Sequence, residues 1–573
     1  EKHMLEKLIK TAKGEVKADL VLKSATYVDV FSGKTAKGDI AICGEKIVGV
    51  GEYEGLEEID CKGLTVLPGY IDGHVHIESS QLSPEGFASL IVPRGTTAII
   101  ADPHEITNVC GMAGCDYILK ASKNVPLDVM LNLPSCVPAT PFETSGAHID
   151  GNETAKQIKK DYMFGLGEFM NYPGVLNCDK DVIKKLESAH AEGKNIDGHA
   201  PAVYGKELNA YLCGGIRTDH ECVTKEEIEE KISKGMYVHI RHGSSTQNLG
   251  NAKYINDKNS RRFILCTDDR HAADLKEKGH IDDALRRLVK DGLDPVTAVT
   301  CATLNCAECY GLKWRGGIAP FWLADLVVVD NLKNFNAQYV IKSGKLVAKD
   351  GEALFDTSKR YLPKTVLNTV NLKEMKADDF KISVKGNKVK AMTIEPGGVV
   401  TGCEIVEVKN ENGDIDVTGT DLLKLAVVER HKMTGNIGKA IFKGYGLKGG
   451  AMGITIAHDS HNIILLGDDN ESMAKAANKL KEIGGGMVLV EREGETHYLT
   501  LDIAGLMSSF DAEHLQSYSR AIIEEAHGMG VKREYEAFMS LAFLSLAVIP
   551  KLKILDTGLF DVEKFSFTPL EAE

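Results

Sequence analysis

No run of this chain approaches the roughly 18 consecutive apolar residues of a membrane-spanning helix, so no transmembrane segment is expected. A charged-then-apolar leader is missing too. Glu1–His3 are set aside from the fold argument, with Met4 expected as the natural start. Surplus positive charge is absent: 68 Lys and Arg face 82 Asp and Glu, a formal net charge of -14. That balance argues against a nucleic-acid polymer or an anionic membrane as partner and leaves small neutral substrates open. Nor is there an even set of cysteines. The thirteen present are scattered through apolar segments of a long chain. This usage fits a reducing cytosol better than a disulfide scaffold, and a cytoplasmic location is expected. A phosphate loop lacks its lysine after Gly484-Gly485-Gly486, and Gly435–Lys439 is too short to form one.

At 573 residues the chain exceeds one ordinary core, and 43% hydrophobic with 26% charged residues is the composition of a globular protein. Two or three domains are expected. Ala18-Asp19-Leu20-Val21-Leu22 is echoed by Ala324-Asp325-Leu326-Val327-Val328, each followed by a second β-like stretch and a glycine turn. The repetition suggests one small β domain built from residues 1–65 and 317–355. Between them, across 66–316, eight apolar strand candidates alternate with helical or glycine-bounded stretches. The first runs from Thr65 to His76 and the last from Phe263 to Asp268. Eight such units suggest a TIM-type barrel, whose chemistry sits where strands end. Residues 356–573 read as a further domain with strands near Gly453, Ile463 and Met487 and an Ala/Lys-rich helix over Glu471–Glu482. The fold class is therefore α/β: a (β/α)8 barrel, a small composite β-sandwich domain and a C-terminal α+β domain.

Polar residues recur at the predicted strand ends. They are His74 and His76, Asp102-Pro103-His104-Glu105, Glu168, His199, His220-Glu221, Arg241-His242 and Asp268. A strand turns alternate side chains to one face, so His74 and His76 can reach one ion together. Any one of these residues alone is more often a turn residue, a surface acid or a helix cap. Six at the catalytic face, in ligand types that suit zinc, manganese or iron, point to a binuclear site. His74, His76 and Asp268 are expected at the first cation, His199 and His220 at the second, and Glu168 between them. Two close cations lower the pKa of a shared water, and Asp268 can carry its proton to a leaving group. Spacing alone thus gives a metal-assisted hydrolase.

The stretch Pro68-Gly69-Tyr70-Ile71-Asp72-Gly73-His74-Val75-His76, with Asp268, resembles the amidohydrolase superfamily. His76-Ile77-Glu78-Ser79-Ser80, Asp102–Glu105, Gly167-Glu168-Phe169-Met170-Asn171 and Ala457-His458-Asp459-Ser460-His461-Asn462 resemble the bacterial adenine deaminases within it. The resemblance covers nearly the whole chain and has glutamate, not a carboxylated lysine, at the bridging position. It implies a manganese- or iron-loaded pair, a free purine base as partner, and hydroxide attack at C6 of adenine with loss of ammonia. Proton delivery to N1 is left open among Glu221, His242 and the Asp102/His104/Glu105 cluster, with His242 standing where the family resemblance leads one to expect an acid. Arg241 either contacts substrate or braces the strand end. His458, Asp459 and His461 either close the purine pocket or cap a loop of their own domain.

A cyclic-amide hydrolase or an N-acetyl-sugar deacetylase of the same superfamily is the alternative, and a barrel that has lost catalysis ranks lower because all six ligands are present. His190-Ala191-Glu192 with Cys306-Ala307-Glu308-Cys309 superficially matches the zinc nucleobase deaminases, but Asn305 replaces their proline. The two accessory domains offer surface for a homodimer.

Overall fold

The structure, a computed structural model, describes residues 2–396 and 399–572. Eight parallel strands form the central unit: Tyr70–Val75, Thr96–Ala101, Asp128–Leu133, Gly165–Phe169, Asn195–Gly198, Thr218–Asp219, Tyr237–Arg241 and Phe263–Cys266. Ladders join strands one to five and six to eight. Two junctions close the ring. Arg217 N donates to Ile196 O between strands five and six, and Asp268 N to His74 O between eight and one. Strands covered on both faces need continuous apolar sequence, and every residue of Thr96–Ala101 is buried.

The reading of Thr65–His76 as one strand needs correction. Thr65–Pro68 belongs to the small sheet, where it pairs antiparallel with Leu326–Val329. Tyr70–Val75 alone enters the barrel. Gly69 makes the break: its amide donates to Asp325 O, and a Cβ there would lie 2.4 Å from the Thr97 hydroxyl. The small sheet is nine-stranded and draws on both flanks of the barrel. Its core, including Leu22, Ile40, Ile42, Val66, Leu326, Val328 and Ile341, comes from its own strands. The helix Lys2–Ala12, which a β-rich reading did not anticipate, lays Leu8 against Val21 and Ala41.

After Gly351 an eight-stranded sheet is covered by the helix Asn470–Glu482. Met473, Ala476, Ala477 and Leu480 of that helix pack on Leu465 and Val488. Asp469 caps it by accepting Ser472 N. The loop between Gly450–Ile454 and Ile463–Gly467 carries His458–His461. Arg430, fully buried, holds this loop by donating to His461 O, Thr455 O and Ala504 O. Cys306 and Cys309 are core residues beside Ile71 and Ile264, while His190 bonds Gly214 O elsewhere.

Candidate metal centre

The period of two along a strand decides which side chains meet inside the barrel mouth. His74 and His76 project from the end of strand one, and Glu168 from strand four. His199 and His220 follow strands five and six, and Asp268 follows strand eight. The structure brings all six together. His76 Nε2 lies 3.2 Å from Glu168 Oε1 and 3.1 Å from Asp268 Oδ1. His74 Nε2 is 3.2 Å from Asp268 Oδ1. The other oxygen of Glu168 is 3.0 Å from His199 Nδ1 and 3.2 Å from His220 Nε2. Glu168 therefore stands between two imidazole pairs, one oxygen toward each, and is only 5% exposed. Asp268 reaches inward through a left-handed backbone turn, φ +59°, which aspartate tolerates better than most residues.

The donor chemistry fits cations. His76 Nδ1 bonds Asp102 O at 2.7 Å, so its proton sits there and the Nε2 lone pair faces the cluster. His74 Nε2 is buried without a hydrogen-bond partner. Burial alone would raise the Glu168 carboxyl. Contacts with His199, His220 and His76 outweigh that and hold it well below its usual range. Asp268 is likewise held low, against burial, by His74, His76 and the charges of His220 and Arg241.

Around this core, Asp102 and His104 flank Glu168. Asp102 Oδ2 accepts Glu168 N at 2.8 Å. That approach needs Gly167, where a Cβ would lie 2.3 Å from the same oxygen. Asp102 Oδ1 and His104 Nδ1 are buried without partners. Arg241 lies between Asp268 Oδ2, 2.9 Å away, and Glu221. Glu221 Oε1 is 3.4 Å from His220 Nε2. Glu105 receives His458 and His461 from the C-terminal loop, so that loop crosses to the barrel instead of capping its own sheet. Asp459 Oδ2 is buried and unpartnered. Burial keeps its carboxyl above the usual range, against the pull of nearby His104.

His242 is not at the cluster, and its reading as a catalytic candidate is corrected. His239 and Arg241 point inward, so His242 turns outward and meets Asp283 at 2.6 Å, beside Arg270. Sequence reasoning passed over His239, which stacks 6.4 Å from His74 and contacts Tyr310 Oη. It gave no role to Asp197 at the end of strand five, which accepts from Asn132, Thr218 and Tyr310 beneath the ligands. Counting back two residues from Arg241 and His199 finds both.

A pocket adjoins the centre through Glu105, the neighbour of His104, and Asp269, the neighbour of the ligand Asp268. Glu105, Asp269 and His458 contribute its polar wall, and Ile456, Leu506 and Phe543 its apolar one.

Residues 65–347 match the model of the amidohydrolase family, and residues 398–566 that of the adenine deaminase C-terminal domain. Adenine deaminase 2 of Desulfotalea psychrophila is 46% identical over the whole of both chains. An adenine deaminase of Nitratidesulfovibrio vulgaris is 46% identical over 99% of this chain and 98% of its own. That of Clostridium acetobutylicum is 44% identical over 99% and 100%. Among solved structures, an amidohydrolase aligns with 58% of this chain and 99% of its own at 15% identity and a TM-score of 0.45. With full-length relatives at this identity, the chain belongs to the adenine deaminase family of amidohydrolases.

Proposed function

We propose that the chain hydrolyses adenine to hypoxanthine and ammonia. One observation carries this reading. The six-ligand cluster, buried except at His199, adjoins a pocket whose far wall comes from the segment that matches the adenine deaminase C-terminal domain. Four imidazoles and two carboxylates suit manganese or iron, with zinc as a third option. His74, His76 and Asp268 would hold one cation, His199 and His220 the other, and Glu168 both. When bound, such a pair supplies the Lewis acidity that makes water nucleophilic at neutral pH.

The remaining chemistry falls to the side chains. Asp268 takes a proton from the attacking water and returns it to the departing amine, with Arg241 fixing its second oxygen. Glu221, a carboxylate held by the same guanidinium, is the proposed carrier of the water's other proton to N1. Asp102 Oδ1 is an acceptor in want of an N–H donor, which the exocyclic amine of adenine provides. Ile456, Leu506 and Phe543 suit the faces of a flat purine, and Glu105, Asp269 and His458 close the polar side, with the buried, unpartnered Asp459 Oδ2 proposed as a further contact.

Among the described residues no helix is long and apolar enough to cross a membrane. The cysteines are free and most are buried, which supports placement in a reducing cytoplasm. Phe31, Trp314 and Phe321, exposed and in edge-to-face contact with neighbouring aromatics, support a dimer.

The test is release of ammonia from adenine, adenosine and cytosine by manganese-loaded protein, with acetate release from an acetylated amino sugar as counter-assay. Ammonia from adenine is expected. Acetate release with adenine untouched would overturn the reading.

A further inference from the structure

The buried carboxylate of Glu105 is surrounded by imidazoles. His104 Nε2 lies 3.2 Å away, His458 Nδ1 2.9 Å, and His461 Nε2 is in direct hydrogen-bond contact. His458 and His461 come from 353 and 356 residues downstream. Three ligand-type side chains at such a point raise the question of another cation. The hydrogen bonding answers it. His461 Nδ1 accepts the Ala457 amide at 3.0 Å, so the ring proton lies on Nε2 and is donated to Glu105. A cation needs that Nε2 lone pair, and the Ala457 amide denies it. The arrangement is a hydrogen-bonded clasp.

The clasp has a rigid backing. Arg430 holds the carbonyl of His461, and His431 bonds the carbonyl of Ser460. His458 stacks on Phe543, ring centroids 5.1 Å apart. On the barrel side, Glu105 accepting from two downstream histidines stays an acceptor for His104 as well. His104 must then turn its Nε2–H to Glu105. Its Nδ1 is left 3.5 Å from Glu168 Oε1 and 3.7 Å from Asp102 Oδ1, at the edge of the metal cluster.

We propose that His461 is a positioning residue for the reaction: with His458 it holds Glu105, and through Glu105 it fixes the ring of His104 beside the cluster. The C-terminal loop is then part of the catalytic apparatus as well as a cavity wall. The choice of substrate in the test rests on the adenine reading.

His461→Leu removes both hydrogen bonds of the ring. His461→Gln keeps an acceptor for Ala457 and a donor for Glu105. With manganese loaded, His461→Leu is expected to retain the metal content of the unaltered chain. Its kcat on adenine should fall about 10- to 100-fold, the usual cost of losing an orienting partner, with KM moving less. His461→Gln should recover most of that kcat. Unchanged kcat per folded, metal-loaded molecule in His461→Leu overturns the proposal, as does a folded, loaded His461→Gln that is no better than His461→Leu. Should His461→Leu fail to fold, Glu105→Gln carries the decision: lower kcat with metal retained supports the clasp, and unchanged kcat overturns it. Should the unaltered protein release no ammonia from adenine, only the substrate reading falls. Histidine ¹⁵N spectra of zinc-loaded protein then decide. They must show protonated Nε2 on His104 and His461, with the His104 signals altered in His461→Leu. Any other pattern overturns the clasp.

Discussion

Replacing Glu168 by glutamine tests the bridging role most directly. The side chain keeps its volume in a buried site but loses its charge and one acceptor oxygen. In the structure, Oε1 faces His76 at 3.2 Å and Oε2 faces His199 and His220 at 3.0 and 3.2 Å. Whichever way the amide turns, one imidazole pair meets an NH2 group in place of a carboxylate oxygen. A charge-assisted contact contributes about 1.5–3 kcal/mol, and the amide takes one carboxylate oxygen away from one cation site. That corresponds to about a tenfold to hundredfold weaker hold on that cation. The assay is to load with manganese, dialyse against a chelator, count metal per chain by elemental analysis, and then measure ammonia release from adenine. Glu168→Gln should come out of dialysis with less manganese than the unaltered chain, and with activity lower by at least about tenfold. A variant that keeps both its metal and its rate would refute the bridging argument.

Two further expectations follow from residues outside the cluster. His242→Gln should leave kcat nearly unchanged but lower stability by about 1–3 kcal/mol, because it disturbs a buried bond to Asp283 remote from the ligands. Denaturant titration beside an ammonia assay checks both, and a collapse of kcat in folded protein would restore the catalytic role withdrawn above. Lys553 is buried, and burial lowers its pKa from 10.5 to about 7. Between those values the unfolded chain binds more protons than the folded one, so this group makes stability rise with pH across that window; below about pH 7 its penalty is complete. Lys553→Met should flatten the rise, by at most about 1.4 kcal/mol per pH unit. Unfolding titrations at pH 7 and 9 with the same slope in both proteins would contradict this.

The cluster was legible in the sequence because its ligands terminate strands, and strand ends are marked by a change from apolar to polar residues. The eight barrel strands were read from apolar runs alternating with helical or glycine-bounded stretches, and seven of them carried such a polar end. His242 was misplaced for a reason internal to the same rule: two adjacent polar residues at one strand end cannot both face inward, and Arg241 took the inward position. The break at Gly69 was hidden because Val66–Pro68 and Tyr70–Ile71 flank it with apolar sequence, and the close approach of Thr97, which leaves no room for a side chain there, exists only in the fold. The pairing of Glu105 with His461 is beyond local patterning, since nothing near either residue encodes a partner more than 350 positions away. Both motifs could be noticed, but whether the loop served its own sheet or the barrel was decided by tertiary packing.

The strand that leads into the barrel and the strand that follows it lie side by side, with Val66 opposite Val328 and Leu67 opposite Val327. The barrel is thus a hoop whose ends are sewn together along a short seam. A single protease nick in one of its outer loops would open the chain without opening the hoop.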